Sequence, residues 1–330
     1  MQLTNLIPIK YQNKVKEIAN EIKNIDKVII SGHVNPDSDS MGACISIALI
    51  LKSLNKKYII YSETGFPNYL SFLNMPDKEY NDLSTLPFIP DSAIFLDCNV
   101  KHRLGTRLEK YLVNLKSINI DHHLGNGGIG TITNWVEDKA SATCELVTYL
   151  AIELGIKLEG DLANALLTGI IGDTGGFMHS NTTADILRLC AHFMDNGCNI
   201  SYLRHNIENT WSKGHMLLWG ELISSIELSN DNKIALLLVT KEILDKYSCT
   251  KDDLEGLGDM LRKLKSVLIS AVLREDGINT CKFSLRSFGS IDVRKIAEKL
   301  GGGGHLNAAG GTLNCDIKCA KEKLLSVLSV

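Results

Sequence analysis

None of the nine cysteines belongs to a C-x-x-C pair, so the sequence offers neither a zinc-type spacing nor a redox dithiol. Their number is odd and most stand in apolar runs, which points to reduced, buried thiols and a cytoplasmic chain rather than a disulfide-stapled one. Residues 1–10 lack a basic start followed by a long apolar stretch, so no signal peptide is expected. The richest apolar run, residues 41–54, falls short of the roughly 18 residues that span a bilayer, and no membrane partner is expected. Excess positive charge is missing too: 35 Lys and Arg stand against 38 Asp and Glu, a formal −3. Coating long nucleic acid needs a strong positive field, so long duplexes are not expected as partners. A short phosphorylated ligand needs only a few local cations. No internal repeat or low-complexity tract occurs.

What is present is an ordinary globular composition, 44% hydrophobic and 22% charged over 330 residues, enough for about two domains. Val15, Ile18, Ile22 and Ile25 recur at helical spacing, so residues 11–25 read as an amphipathic helix. Residues 28–31 and 58–61 read as strands, and residues 41–54 as a buried helix. Two more apolar runs, residues 92–96 and 117–120, close on acids, Asp97 and Asp121. Helices are expected to start at an N-cap Ser141 and at a capping box, Thr182-x-x-Asp185, and to stop near Gly155 and Gly197. Alternating short strands and helices predict an α/β fold with a parallel sheet and flanking helices. From about Trp211 the pattern changes to a smaller α/β domain, with a helix near 252–264, strands at 266–273 and 279–286, a Gly-rich segment and a terminal helix at 318–328. The expected division is a first domain over 1–195, a helical connection over 196–225 and a second domain over 226–330.

The candidate chemistry lies where strands end. Asp37 and Asp39 follow the first strand, Asp97 the fourth apolar run and Asp121 the next; His33 shares the opening loop, and His122 and His123 follow Asp121. Asp173 lies in Gly172-Asp173-Thr174-Gly175. Carboxyl ends of parallel strands form the crevice where ligands bind, so four separated segments bring acids and imidazoles to one edge. Singly, an Asp after a strand is usually a cap or turn former. Together, crowded carboxylates repel unless cations or protons intervene. Carboxylate and imidazole without thiolate suit manganese or magnesium better than zinc, and so many ligands suit two ions. Gly125-Asn126-Gly127-Gly128-Ile129-Gly130 fits G-x-G-x-x-G, but residues 131–136 alternate like a strand. No helix follows to hold a pyrophosphate, and NAD is not expected.

These motifs resemble the DHH phosphoesterase superfamily, named for the triplet Asp121-His122-His123. Its opening motif, H-x-N-P-D-G-D-x-x-G, is met by His33, Asn35, Pro36, Asp37, Asp39 and Gly42; Asp97 and Gly172-Asp173-Thr174-Gly175 match later ones. Gly302-Gly303-Gly304-His305 and Ala308-Ala309-Gly310 match the signature of the DHHA1 domain. Ser38 departs from the usual glycine. The resemblance implies a DHH catalytic domain followed by a substrate-binding DHHA1 domain. It implies two divalent ions, manganese first and magnesium or cobalt as alternatives. One would be held by His33, Asp37 and Asp97, the other by Asp39, Asp97, His122 and Asp173. Catalytic roles would fall to Asp97, to His123 facing the substrate phosphate, and to Asp121 orienting an imidazole. Arg103, Arg286, Gly302, Gly303, Gly304 and His305 would join His123 in holding substrate. The two-domain length is similar to the nano-RNase group of that superfamily. It implies hydrolysis of very short oligoribonucleotides such as pGpG or pApA, and of 3′-phosphoadenosine 5′-phosphate, with cyclic di-AMP as the alternative substrate; a homodimer is compatible with it. A family-II pyrophosphatase is disfavoured by the Gly302 to Gly310 signature.

Overall fold

The apolar runs that end on acids become neighbouring strands of one sheet. The computed structural model describes residues 3–112, 115–125, 127–229 and 231–328, and the chain divides into two units, Met1–Thr210 and Trp211–Val330. The first unit opens with α1 (Gln12–Asn24), whose Val15, Ile18 and Ile22 are buried. Next come β1 (Val28–Ser31), α2 (Ser38–Ser53), β2 (Tyr58–Tyr61), β3 (Glu79–Tyr80) and β4 (Ser92–Leu96). Then come α3 (Thr106–Tyr111), β5 (Lys116–Asp121), β6 (Thr133–Val136), α4 (Thr143–Glu153), α5 (Gly160–Asp173), α6 (Ala184–Asp195) and α7 (Ile200–Glu208). The six strands are parallel in the order β3-β2-β1-β4-β5-β6. Chain order reverses between β1 and β4, which makes the carboxyl ends of those two strands the topological switch point.

Strand periodicity divides the core. Val28, Ile30, Ile94 and Leu96 pack on one face of the sheet with α1, α2, α4 and α5. Ile29, Ile59, Tyr61, Ala93 and Phe95 pack on the other. Both faces are covered, so the strands read as continuous apolar runs rather than alternating ones. Among the described residues no helix is long and apolar enough to cross a membrane.

The second unit comprises α8 (Lys213–Ser224), β7 (Glu227–Ser229), β8 (Ile234–Val239), α9 (Lys241–Lys246), α10 (Leu257–Leu261), β9 (Ile269–Gly277) and β10 (Thr280–Ser287). It ends with α11 (Val293–Glu298), β11 (Gly303–His305), β12 (Ala308–Leu313) and α12 (Ile317–Val327). Its sheet is mixed, in the order β11-β12-β10-β9-β8-β7, with β8 and β9 parallel and the other pairs antiparallel.

Several local expectations need correction. The helix expected over 252–264 is a 3-10 turn, Lys251–Leu254, followed by the short α10, because Gly256 adopts φ 82° and breaks the run. The N-cap of α6 is Thr183, whose hydroxyl accepts from Ile186 N, one residue later than the Thr182 reading. Ser141 does not cap α4; its N–H and hydroxyl both donate to Glu145 Oε2, at 2.6 and 2.7 Å. No helix opens from the G-x-G-x-x-G stretch: of its described residues, Ile129 and Gly130 lead directly into β6, while Asn126 lies outside the described residues.

Candidate metal centre

Two helix N-termini hold the first carboxylates in place. Asp37 is the N-cap of α2: its Oδ1 accepts from Asp39 N and Ser40 N at 3.1 and 3.0 Å, leaving Oδ2 turned toward His33. Asp39 caps a helix from another element. Its Oδ2 accepts from Thr143 N at 2.6 Å and its Oδ1 from Cys144 N at 2.9 Å, so it supplies the acceptors that Ala142, the N-cap of α4, lacks. N-terminal amides and the helix dipole favour a carboxylate at both places.

Asp97 follows β4 in a left-handed conformation, φ 56°, which Asp tolerates better than most residues. Buried Asn119 of β5 braces that turn, donating to Phe95 O and Cys98 O at 3.1 Å each and accepting from Ile129 N. The turn sets Asp97 between the imidazoles. Its Oδ2 lies 3.3 Å from His33 Nε2, and its Oδ1 lies 3.5 Å from His122 Nε2 and 3.4 Å from His123 Nδ1. Thr143 adds a hydroxyl contact to Oδ1 at 3.2 Å. Asp173, the last residue of α5, approaches His122 Nε2 at 2.9 Å, and Asp39 Oδ2 lies 3.7 Å from the same nitrogen.

The donors therefore fall into clusters: His33, Asp37 and Asp97; Asp39, His122 and Asp173; and Asp97 with His122 and His123. Asp97 belongs to two of them. Depth is graded. Asp39, Asp97 and Asp121 are 0, 1 and 0% exposed, whereas the Asp37 side chain is 53% exposed, so the centre opens toward solvent on the Asp37 side. His33 Nδ1 bonds to Val34 O at 2.9 Å. With that nitrogen donating, the neutral ring keeps Nε2 as a bare acceptor, and this atom is buried without a hydrogen-bond partner among the described residues. His122 is oriented alike, Nδ1 facing Ala140 O at 3.4 Å. His123 Nδ1 is bound to Asp121 Oδ1 at 2.8 Å, which leaves Nε2 available outward.

The electrostatics call for cations. Burial drives the Asp39 carboxyl well above its ordinary range, with Asp97 and Asp173 adding repulsion; Asp173 is raised by burial as well. Burial would also raise Asp97, but His122 and His33 outweigh it and hold that carboxyl low. Burial opposes a charge on His33, yet Asp37 and Asp97 carry its pKa up to about 10. His122 shows the same contest and reaches about 12 through Asp173 and Asp97. Asp121 raises His123. Five carboxylates against three imidazoles leave negative charge in excess, and bound metal would replace those protons. The hard O/N donor set and the bare buried Nε2 both fit a divalent cation of the manganese or magnesium kind.

The other residues singled out in the sequence are dispersed. Arg103 sits in a 3-10 turn after β4; its carbonyl accepts from Val34 N at 2.7 Å, tying it to the loop that carries His33, and its side chain is half-buried. Arg286 and His305 are in the second unit. They lie in one row across the sheet, Arg286 opposite Ala308 and Ala308 opposite His305. Gly302 donates its N–H to Ala297 O, and Gly303 and Gly304 form the exposed edge strand β11 rather than a loop. Thr143 and Asn119 also serve the centre, outside the motifs that mark its other residues. The sequence marks Asn119 only as a polar residue between Ile118 and Ile120, and it does not mark Thr143. Ser38, where a glycine is usual, lies at the start of α2 outside the left-handed region, so its backbone does not require glycine.

Comparison with known proteins agrees over nearly the whole chain. The model described as "DHH family, N-terminal domain" matches residues 27–170, and that of the DHHA1 domain matches residues 231–329. The bifunctional oligoribonuclease and PAP phosphatase NrnA of Thermus thermophilus is 31% identical over 326 residues, spanning 97% of this chain and 94% of that protein. The Bacillus subtilis protein of the same name is 26% identical over 90% and 92% of the two chains. Among solved structures, an exopolyphosphatase-related protein from Bacteroides fragilis superposes with a TM-score of 0.85 at 27% identity, covering 96% and 95%. RecJ of Thermus thermophilus, solved with Mn2+, shares the fold at a TM-score of 0.53 and 13% identity, covering 97% of this chain and 55% of its own.

Proposed function

The chain belongs to the DHH family and carries its DHHA1 domain, and from that premise we propose that it is a metal-dependent phosphoesterase acting on very short oligoribonucleotides. It cuts them to 5′-mononucleotides and removes the 3′-phosphate of 3′-phosphoadenosine 5′-phosphate. The observation that carries this reading is the meeting of Asp37, Asp39, Asp97, Asp173, His33 and His122 at the switch point. The relatives named NrnA support the substrate class.

In this reading His33, Asp37 and Asp97 would hold one cation, and Asp39, Asp97, His122 and Asp173 would hold a second. When bound, such cations would lower the pKa of an attacking water and offset the negative charge of the phosphoryl group. Asp39 and Asp37 are pre-set by helix amides, so the donors need little rearrangement. His123, oriented by Asp121, presents Nε2 to the substrate phosphate, and Arg103 adds positive charge beside the opening loop. On the second unit Arg286, His305 and the neighbouring glycines grip a phosphate; a modest number of cations suits a short substrate rather than a long track. All nine cysteines are free thiols, which supports residence in a reducing compartment, the cytoplasm.

The test is a panel of initial rates with manganese on phosphoadenosine phosphate, pApA, pGpG, longer RNA and cyclic di-AMP, alongside manganese binding by calorimetry. Fastest turnover of the first three, lost on chelation, is expected. Preference for cyclic di-AMP would replace the substrate assignment, and full activity in excess chelator would overturn the metal reading.

A further inference from the structure

The sheet of the second unit carries a second row beside the Arg286–His305 row. In the antiparallel register Ser270, Arg286 and Ala308 stand opposite one another, and His305 continues the row on β11. Carried two residues further, the pairing of β10 with β9 sets Phe288 opposite Leu268, while Leu306 stands in the turn between β11 and β12. The hydrogen bonds follow it past the strand ends: Phe288 N donates to Leu268 O at 3.2 Å, and Ser287 N to Asn307 O at 3.0 Å. Residues two apart in a strand share a face and lie about 7 Å apart. The Asn307 side chain fastens the corner, donating to Ser287 Oγ at 2.9 Å and Gly289 O at 3.0 Å. Arg262 donates to Ser287 O at 3.1 Å from the other side.

Phe288 is 73% exposed and Leu306 is 46% exposed. Single exposed apolar residues are ordinary, but Phe288 continues the outward face that carries Arg286 and is held by a corner braced on both sides, at Ser287 and Gly289. An aromatic next to a phosphate grip, one sugar's length away, matches the layout of a nucleotide. We infer that Phe288 forms a stacking ledge for the nucleobase whose phosphate is held by Arg286 and His305. The inference rests on the phosphoester reading above and adds to it a base-recognition element. Every base offers a π-face, so the ledge confers tolerance of sequence together with a preference for nucleotides over simple phosphoesters.

The experiment measures binding to the full chain in chelator, where no turnover occurs, with two probes: adenosine 3′,5′-bisphosphate and its abasic counterpart, ribose 3,5-bisphosphate. Phe288→Ala is expected to weaken the adenine nucleotide roughly ten- to a hundredfold, the range of one lost base stack, and to leave the abasic probe unchanged. Phe288→Tyr should restore binding, and Arg286→Ala should weaken both probes. Equal affinity of Phe288→Ala and wild type for the nucleotide, or an equal loss for both probes, overturns the ledge. Wild-type turnover of the dinucleotide panel scores the parent reading separately. If turnover is normal and Phe288→Ala binds normally, the ledge alone is wrong. Should Phe288→Ala lose its circular-dichroism spectrum, Phe288→Tyr against Phe288→Ser at the same position supplies the comparison.

Discussion

At the rim of the first unit Asp39, Asp97 and Asp121 are sealed from solvent, whereas at the edge of the second Gly303, Gly304 and His305 lie open to it. The two regions also differ in bracing. Each deep carboxylate accepts a backbone amide, a threonine hydroxyl or an imidazole N–H, while the Arg286 side chain bonds only to Ser284 Oγ and to the Leu285 carbonyl among the described residues. Like charges packed within hydrogen-bonding distance can be kept only where fixed dipoles and cations neutralise them, which demands a rigid, buried seat. Gripping a phosphate that arrives and leaves demands the reverse, an accessible surface with a few mobile cations.

Substitutions can test that contrast. The largest effect is expected at Asp97, which touches His33, His122, His123 and Thr143 at once. Asp97→Ala should lower turnover by a factor on the order of 10³ or more and abolish manganese binding in calorimetry. Retention of both ions with near-normal rates would show that the shared position is occupied by another group.

At Arg286 the outcome should separate binding from chemistry. Arg286→Ala should raise KM about tenfold to a hundredfold, with manganese affinity unchanged, because the proposed charge-assisted phosphate contact would be lost while the first unit is untouched. If manganese binding falls as well, the division of labour between rim and edge is wrong.

Asp39 combines both duties, and its removal should show in stability. Asp39→Ala leaves the Thr143 and Cys144 N–H groups without an acceptor inside the protein, a loss only partly offset by relief of crowding with Asp97 and Asp173. Denaturant unfolding in chelator should register a net loss of about 1–2 kcal/mol. Asp173→Ala, whose carboxylate accepts no backbone amide among the described residues, should lose activity without that stability change. Equal stability of the two variants would remove the capping role.

Much of this was legible in the chain. β1, β4 and β5 each end where an apolar run meets polar residues, which stay buried at the sheet's carboxyl edge because they gather there into one polar centre. The clustering of acids followed from those endings. What could not be read was any role spanning distant positions: Asp39 caps a helix that begins 104 residues later, so Ser141, the nearest capping residue in sequence, was the natural but wrong choice. Thr182 and Thr183 compete within one residue, and only the course of the backbone decides between them. The Gly-rich segment carries no strand signal because glycine disfavours strands; pairing with β12 overrides that preference.

The smallest effect concerns Ser38. A Cβ added to Gly172 would lie 1.8 Å from Ser38 Oγ and 3.1 Å from Ser38 Cβ, so the serine at the start of α2 occupies the space that glycine leaves at the end of α5. Gly172→Ala alone should therefore push α5 away from α2 and displace Asp173, lowering activity several-fold and stability by about 1–3 kcal/mol. Ser38→Gly alone should cost less than about 1 kcal/mol. Combining them removes the hydroxymethyl group that the new methyl meets, so a double-mutant cycle should show the pair recovering most of the Gly172→Ala loss, a coupling of about 1–2 kcal/mol. Simple additivity would mean that Ser38 turns its hydroxyl aside without cost and sits beside the centre without shaping it.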